Sequence, residues 1–246
     1  MSDEFYVGYQ PHAPAGIARW LRVVVGGLLI GAVLVSLGAV LGQSGFPAAR
    51  YDFGDVRTFE GTITLDPQPM LLVARPGDNA GTSPYLLVNP GKHGSQESVA
   101  DLDGQAVSVQ GTLIYRGEQT MLEILPESLA AQGPGSVGGA WTAHGEQTLV
   151  GEIVDSKCFL GVMNPGNLKP HRACAVRCIS GGIPPILLVR LADGTARHLL
   201  LVGPDGESIN QDVLAYVAEP VRLTGQVERK QDTWVLRADP STIERL

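Results

Sequence analysis

The hydrophobic positions of this chain form one long uninterrupted run and many short alternating runs. The long run, VVVGGLLIGAVLVSLGAVL, contains nineteen uncharged residues from Val23 to Leu41. At 1.5 Å per residue, a helix of this length extends about 28 Å, close to the roughly 30 Å hydrocarbon core of a bilayer. The pattern therefore predicts a transmembrane helix over residues 23–42, inserted in the lipid bilayer and preceded by an N-terminal segment of residues 1–22.

A cleaved signal peptide is the alternative interpretation of the long run. A signal peptide has an apolar stretch of about 7–15 residues after a short basic start. Here the run is longer, and about twenty residues precede it. Arg19 and Arg22 lie just before the run, and only Arg50 lies shortly after it. The positive-inside rule then keeps residues 1–22 in the cytoplasm and exports residues 44–246.

The short alternating runs occur in two similar sets. PYLLVNPGKHGSQESVADLDGQAVSVQGTLIYRGEQTMLEIL begins at Pro84, and RHLLLVGPDGESINQDVLAYVAEPVRLTGQVERKQDTWVLRA begins at Arg197. Each is typical of a strand, a Gly/Pro turn, a short helical stretch and two further strands. Two upstream strands complete each copy: Thr58–Leu65 and Met70–Ala74, then Thr148–Val154 and Ile186–Leu191.

This repeat predicts the fold. Three strands, a helix and two strands follow the strand order of the five-stranded OB barrel. We expect a mainly β chain with two OB-like five-stranded β-barrel modules, residues 51–131 and 146–246, each with a short helix between its third and fourth strands. Small β modules of another topology are the alternative. The Gly-rich residues 132–145 are predicted to link the modules, and residues 192–194 to form a hairpin turn.

The two modules differ mainly by an insertion. The first module connects its first two strands by a tight turn, whereas the second has about thirty residues there, 155–185. All three cysteines of the chain lie in this insertion. In OB barrels the loop after the first strand is a usual binding loop, so by analogy we expect the functional site here.

The insertion contains a candidate metal site. Residues 170–181 are predicted to form a short helix, because a proline begins the segment and glycines follow it. On that helix, His171, Cys174 and Cys178 share one face, and Cys158 approaches from the other end of the insertion. Three thiolates and one imidazole suit zinc, Cu(I) or an iron–sulfur centre.

A disulfide is the first alternative for the cysteines. Cys158 paired with Cys174 or Cys178 would close a loop of about 17–21 residues, which is worth roughly 3 kcal/mol in the chain-entropy model. The insertion would then be stapled to a non-catalytic structural or interaction module, and one thiol would be left over.

Thiol–disulfide oxidoreduction is the second alternative. Nearby cations favour a thiolate and could also contact an anionic ligand. The candidates for that role are Lys157, Lys169, Arg172 and Arg177, with Asp155 as a hydrogen-bond acceptor for His171. No CxxC motif is present, and no Ser–His–Asp or paired-carboxylate arrangement stands out. No catalytic residue is therefore assigned, and enzyme activity is not the leading expectation.

Net charge and glycine spacing indicate which kinds of partner the chain could bind. The formal net charge is -7 and the pI is about 5.2, which argues against nucleic acid because a phosphate backbone requires a basic face. In the apolar run, Gly27 and Gly31 have the small-residue spacing at which the helix of a membrane protein partner could pack.

The insertion also resembles a group of uncharacterised bacterial exported proteins. Their pattern is a GxVxDxxC-like strand end followed by HxxCAxxCxxxGxP on a small β-barrel. The matching residues here are Asp155, Cys158, His171, Cys174, Ala175, Cys178, Gly182 and Pro184. The resemblance covers about 40 of the 246 residues and implies a recognised unit without an established activity.

Our leading hypothesis combines these features. It is a single-pass protein of the bacterial inner membrane with its two modules in the periplasm. The second module would bind a soft metal, and the chain would act as an accessory protein, either in metal handling or as a subunit of a membrane redox complex.

Overall fold

The computed structural model describes residues 13–42, 48–75, 81–136, 139–191 and 195–246, so the turn predicted at 192–194 lies outside the described residues. The chain divides into two compact units, Met1–Phe46 and Pro47–Leu246. The first unit contains α1 (Ala15–Gly42), whose most apolar window has a mean hydropathy of 2.6 and is 0% buried. This single helix is long and apolar enough to be a membrane span or a signal sequence. It begins eight residues before the predicted span, because AGIARWLR continues the helix with good helix formers.

Strands are the main regular elements of the second unit. In its first half these are β1 (Ala49–Tyr51), β2 (Arg57–Thr64), β3 (Met70–Ala74), β4 (Thr82–Val88), β5 (Gln105–Arg116), β6 (Gln119–Ile124) and β7 (Ala130–Pro134), with the one-turn helix α2 (Gln96–Val99). In its second half they are β8 (Thr142–Asp155), β9 (Pro185–Arg190), β10 (Ala196–Val202), β11 (Pro220–Lys230), β12 (Thr233–Arg237) and β13 (Glu244–Arg245), with helix α3 (Arg172–Ser180).

The strands close into two five-stranded barrels of the same topology. The first barrel follows the order β2-β3-β4-β6-β5 and returns to β2, and the second follows β8-β9-β10-β12-β11 and returns to β8. In each barrel the third and fifth strands pair in parallel, and all other neighbours around the barrel are antiparallel. The predicted pair of OB-like modules is confirmed.

Alternating side chains fill each barrel. Strand β11 alternates regularly between exposed and buried positions from Pro220 to Val227. The second core includes Ile153, Leu187 and Leu201, and an equivalent core in the first barrel surrounds Ile63. Burial of one face of each strand is the main force that closes such barrels.

The repeated glycines have a packing role. A Cβ atom on Gly111 would lie 2.6 Å from the carbonyl oxygen of Glu123, and one on Gly225 would lie 2.9 Å from Ala238 Cβ. Both glycines occupy the fourth strand of their barrel where the backbone of the fifth strand passes closely. The sequence repeat is therefore a repeat of packing as well as of pattern.

Two regions differ from the predicted elements. The predicted linker, residues 132–145, is partly strand: β7 extends into its start and β8 begins before its end. Strand β8 begins at Thr142 because it stays paired with β11 from Glu152↔Pro220 back to Thr142↔Arg229. In the second barrel, turns and a single 3-10 turn (Leu214–Tyr216) occupy the place of the short helix.

Candidate metal site

The insertion leaves the second barrel at the end of β8 and returns at the start of β9. A short helical turn, Cys158–Val162, follows β8 directly. A 3-10 turn, Lys169–His171, then leads into α3, which ends at Ser180 and is followed by the cap residue Gly181. The predicted helix is confirmed, and its N-terminal turn places His171 one turn before the first helical cysteine.

Three sulfur atoms meet inside the insertion. Cys158 Sγ lies 3.9 Å from Cys174 Sγ and 4.0 Å from Cys178 Sγ, and all three cysteines are free thiols. An ion with metal–sulfur distances of about 2.3 Å and tetrahedral angles separates its thiolates by about 3.8 Å. The observed spacing therefore fits thiolates around one ion.

His171 completes the set. A ring nitrogen of His171 and the sulfurs of Cys158 and Cys174 lie within 4.8 Å of one another. A second group of three, Asp155, Cys158 and Cys178, satisfies the same limit. Cys158 thus belongs to both groups, and the structure brings all four predicted ligands around it. This cluster could bind a metal ion.

Asp155 holds two of the candidate ligands. Its Oδ2 atom lies 2.9 Å from His171 Nε2, and its Oδ1 atom accepts a hydrogen bond from the Cys158 backbone N–H at 2.7 Å. Asp155 is 0% exposed and His171 is 3% exposed. Metal-bound histidines commonly donate their other ring N–H to a carboxylate, which fixes the ring and its tautomer. Nε2 makes this contact, and Nδ1 is the other ring nitrogen.

Two cysteines have perturbed acidities. The hydrogen bond to Cys178, burial and the Asp155 carboxylate raise the pKa of the Cys158 thiol. The hydrogen bond with Cys158, together with the Lys92 ammonium, lowers the pKa of Cys178.

Two of the four predicted basic residues form ion pairs, and the other two are exposed. Lys157 is buried, and its Nζ atom donates to the carbonyl oxygen of Gly91 at 2.7 Å and pairs with Glu123. Arg172 pairs with Glu219, which directly precedes β11. Lys169 and Arg177 are exposed. Lys157 and Arg172 thus join elements of the fold.

The sequence did not predict the contact between the Lys92 ammonium group and a cysteine sulfur. Lys92, in the turn between β4 and α2 of the first barrel, donates a hydrogen bond from Nζ to Cys174 Sγ at 3.0 Å. Its segment, GKHG, reads as an ordinary turn. The contact joins residues that are 82 positions apart and belong to different modules, so no local sequence pattern predicts it.

The insertion lies between the two barrels and contacts both. Arg116 of β5 donates from Nε to the carbonyl oxygen of Phe159 at 2.7 Å, and its guanidinium lies 4.5 Å from the centre of that ring. On the other side, the Phe159 ring packs edge-on against His198 of β10 at 5.5 Å. The site is therefore part of the interface between the modules.

No protein-family model, curated protein or solved structure matches this chain.

Proposed function

We propose that this chain is a membrane-attached accessory protein that holds one divalent metal ion, and that this ion is zinc. Its ligands are Cys158, His171, Cys174 and Cys178. The observation that carries the proposal is the convergence of three sulfurs at tetrahedral spacing beside a histidine that is oriented by a buried carboxylate.

The charge balance supports a divalent ion. Three thiolates bring three negative charges into a largely buried site, and unbalanced buried charge is costly. A divalent ion cancels two of the three thiolate charges, and the Lys92 ammonium lies in position to offset the third. The buried Asp155 carboxylate adds a further negative charge, which is stabilised by the hydrogen bond from the Cys158 backbone N–H. Cu(I) would leave one more negative charge in the same place. An iron–sulfur cluster would spread its thiolates over several iron atoms.

A zinc ion with four protein ligands forms a closed site of the structural kind. Such a site has no open position for a substrate, which favours metal handling or a structural role over catalysis. Helix α1 supports attachment to a membrane, and the arginines before it favour exposure of the barrels outside the cytoplasm. The resemblance to exported bacterial proteins suggests an inner-membrane location facing the periplasm.

Elemental analysis tests this proposal. Full-length chain purified in detergent without added reductant should carry one zinc per chain. Its three thiols should react with a thiol reagent only after a strong chelator removes the metal. Metal-free protein in which two of the three cysteines form a disulfide would contradict the proposal and favour the stapled module.

Thiol–disulfide exchange is a second candidate, favoured by the exposure of one sulfur. Cys174 is partly exposed and lies 3.9 Å from the buried Cys158. In this reaction the two thiols would lose two protons and two electrons to a partner disulfide, which would become two thiols. Rapid alkylation of one cysteine at low pH would support it, and equally slow alkylation of all three would count against it.

A further inference from the structure

We infer that Lys92, which belongs to the first barrel, is a positioning residue of the metal site in the second. Its ammonium group donates to Cys174 Sγ at 3.0 Å. The inference rests on the proposed metal site. It adds that the site is completed across the interface, by a side chain from the barrel that contains no cysteine.

The turn that carries Lys92 is fixed from both sides. The buried Lys157 ammonium donates to the carbonyl oxygen of Gly91, at 2.7 Å. The backbone N–H of Gly94 donates to the carbonyl oxygen of Gly181, at 2.9 Å, just past the end of α3. The backbone on either side of Lys92 is thus attached to the insertion that carries the sulfurs.

Glycines permit this close approach. A Cβ atom on Gly181 would collide with the carbonyl oxygen of Lys92, and one on Gly94 would lie 2.7 Å from the carbonyl carbon of Gly182. Gly182 also has a φ of 97°, in the left-handed region that favours glycine. The turn of the first barrel and the end of α3 therefore meet backbone to backbone, which sets the position of the Lys92 side chain.

Lys92 lies at the side where the cluster meets solvent. Cys158 and Cys178 are 3% and 2% exposed, whereas Cys174 is partly exposed and Lys92 is exposed. A charge-assisted hydrogen bond to a thiolate neutralises part of its charge and orients the sulfur toward the ion.

The test compares zinc affinity among four full-length proteins in detergent, measured by competition with a chromophoric chelator. They are the wild type, Lys92→Met, Lys92→Arg and Lys230→Met. Lys230 lies over the Trp141 ring at 5.8 Å, so its variant controls for the loss of one positive charge. Removing an outer partner of a metal ligand typically weakens affinity 10–100-fold.

We expect that loss for Lys92→Met, partial recovery for Lys92→Arg and no change for Lys230→Met. Cobalt-loaded wild type and Lys92→Met should also differ in their thiolate-to-metal charge-transfer band, which a purely structural lysine would leave unmoved. Equal affinities with an unchanged band would overturn the role of Lys92 and leave the metal site standing.

If the wild type binds no zinc, the proposed function fails. Alkylation of Cys174 by iodoacetamide then decides about Lys92: a slower reaction in Lys92→Met supports the contact, and an equal rate overturns it.

Discussion

Asp155 is the residue on which the geometry of the cluster depends most directly. It accepts from the Cys158 backbone and contacts His171 Nε2 while fully shielded from solvent. The variant Asp155→Asn keeps the size of the side chain but loses its charge. We predict a 10–100-fold loss of zinc affinity with the barrels still folded, because the imidazole loses its fixed tautomer.

Chelator competition beside a circular dichroism spectrum measures this effect. Asp101→Asn, at an exposed position of the first barrel, is the matched control and should bind zinc like the wild type. An Asp155→Asn protein that also binds zinc like the wild type would show that the carboxylate does not orient the histidine.

His198 predicts a pH dependence of stability. Burial and the nearby Arg116 guanidinium lower its pKa to about 4, and its Nε2 atom has no hydrogen-bond partner among the described residues. In the unfolded chain, where the pKa is 6.5, the imidazole gains its proton at higher pH. The free energy of unfolding therefore falls as pH drops from about 6.5 to 4, by about 3 kcal/mol in all.

Urea unfolding between pH 7 and 4 checks this slope. The difference between wild type and His198→Gln isolates His198 from any other group that titrates in the same range. The wild type should lose stability relative to the variant as pH falls. His93→Gln, at an exposed position, should track the wild type. Parallel curves for wild type and His198→Gln would contradict the prediction.

Among the elements, the fourth strand of the second barrel is constrained by Gly225. A methyl group there would press on the carbonyl oxygen of Arg237 and lie 2.9 Å from Ala238 Cβ. We predict that Gly225→Ala destabilises the protein by about 1–3 kcal/mol, as overpacking does elsewhere.

Thermal unfolding measures this change. Gly139→Ala, where nothing lies within 4 Å of the added carbon, should have little effect. Equal melting temperatures for both variants would show that β11 and β12 can separate enough to admit the methyl group.

The elements show which features a sequence can reveal. Strands with one buried face, such as β11, alternate regularly and were predictable, and so was α3 from its proline and glycines. The first part of β8 was not, because its residues 142–147 are exposed and carry no alternation. Pairing with β11 makes that segment a strand, and pairing between distant residues leaves no periodic trace.

The candidate site also contains residues that the sequence predicts and contacts that it does not. Helical spacing placed His171, Cys174 and Cys178 on one face, and the insertion brought Cys158 to them. The partners of Lys157 and Lys92 could not be inferred, since both contacts depend on how two barrels pack together. Local patterns identified the ligands, but only the tertiary fold identified their neighbours.

At the scale of the whole molecule, Lys157 connects the insertion to the first barrel. It is 3% exposed, pairs with Glu123 and donates to two carbonyl oxygens of the turn at 89–91. Removing one partner of a buried pair leaves the other charge uncompensated. We therefore predict that Lys157→Met lowers the free energy of unfolding by about 3–5 kcal/mol and splits one unfolding transition of the barrels into two.

Calorimetry of full-length protein follows that transition. Arg222→Met removes a cation from the exposed pair with Glu244 and should change little, because surface pairs contribute little. A single, unshifted transition in Lys157→Met would mean that the barrels are held together by other contacts.

We propose that three cysteines and a histidine hold one ion between the barrels. X-ray absorption at the zinc edge of the full-length, zinc-loaded protein tests this proposal most directly. We expect three sulfur neighbours at about 2.3 Å and one nitrogen at about 2.0–2.1 Å. A zinc shell of oxygen and nitrogen without sulfur, or a protein that takes up no zinc because Cys158 is in a disulfide, would contradict it.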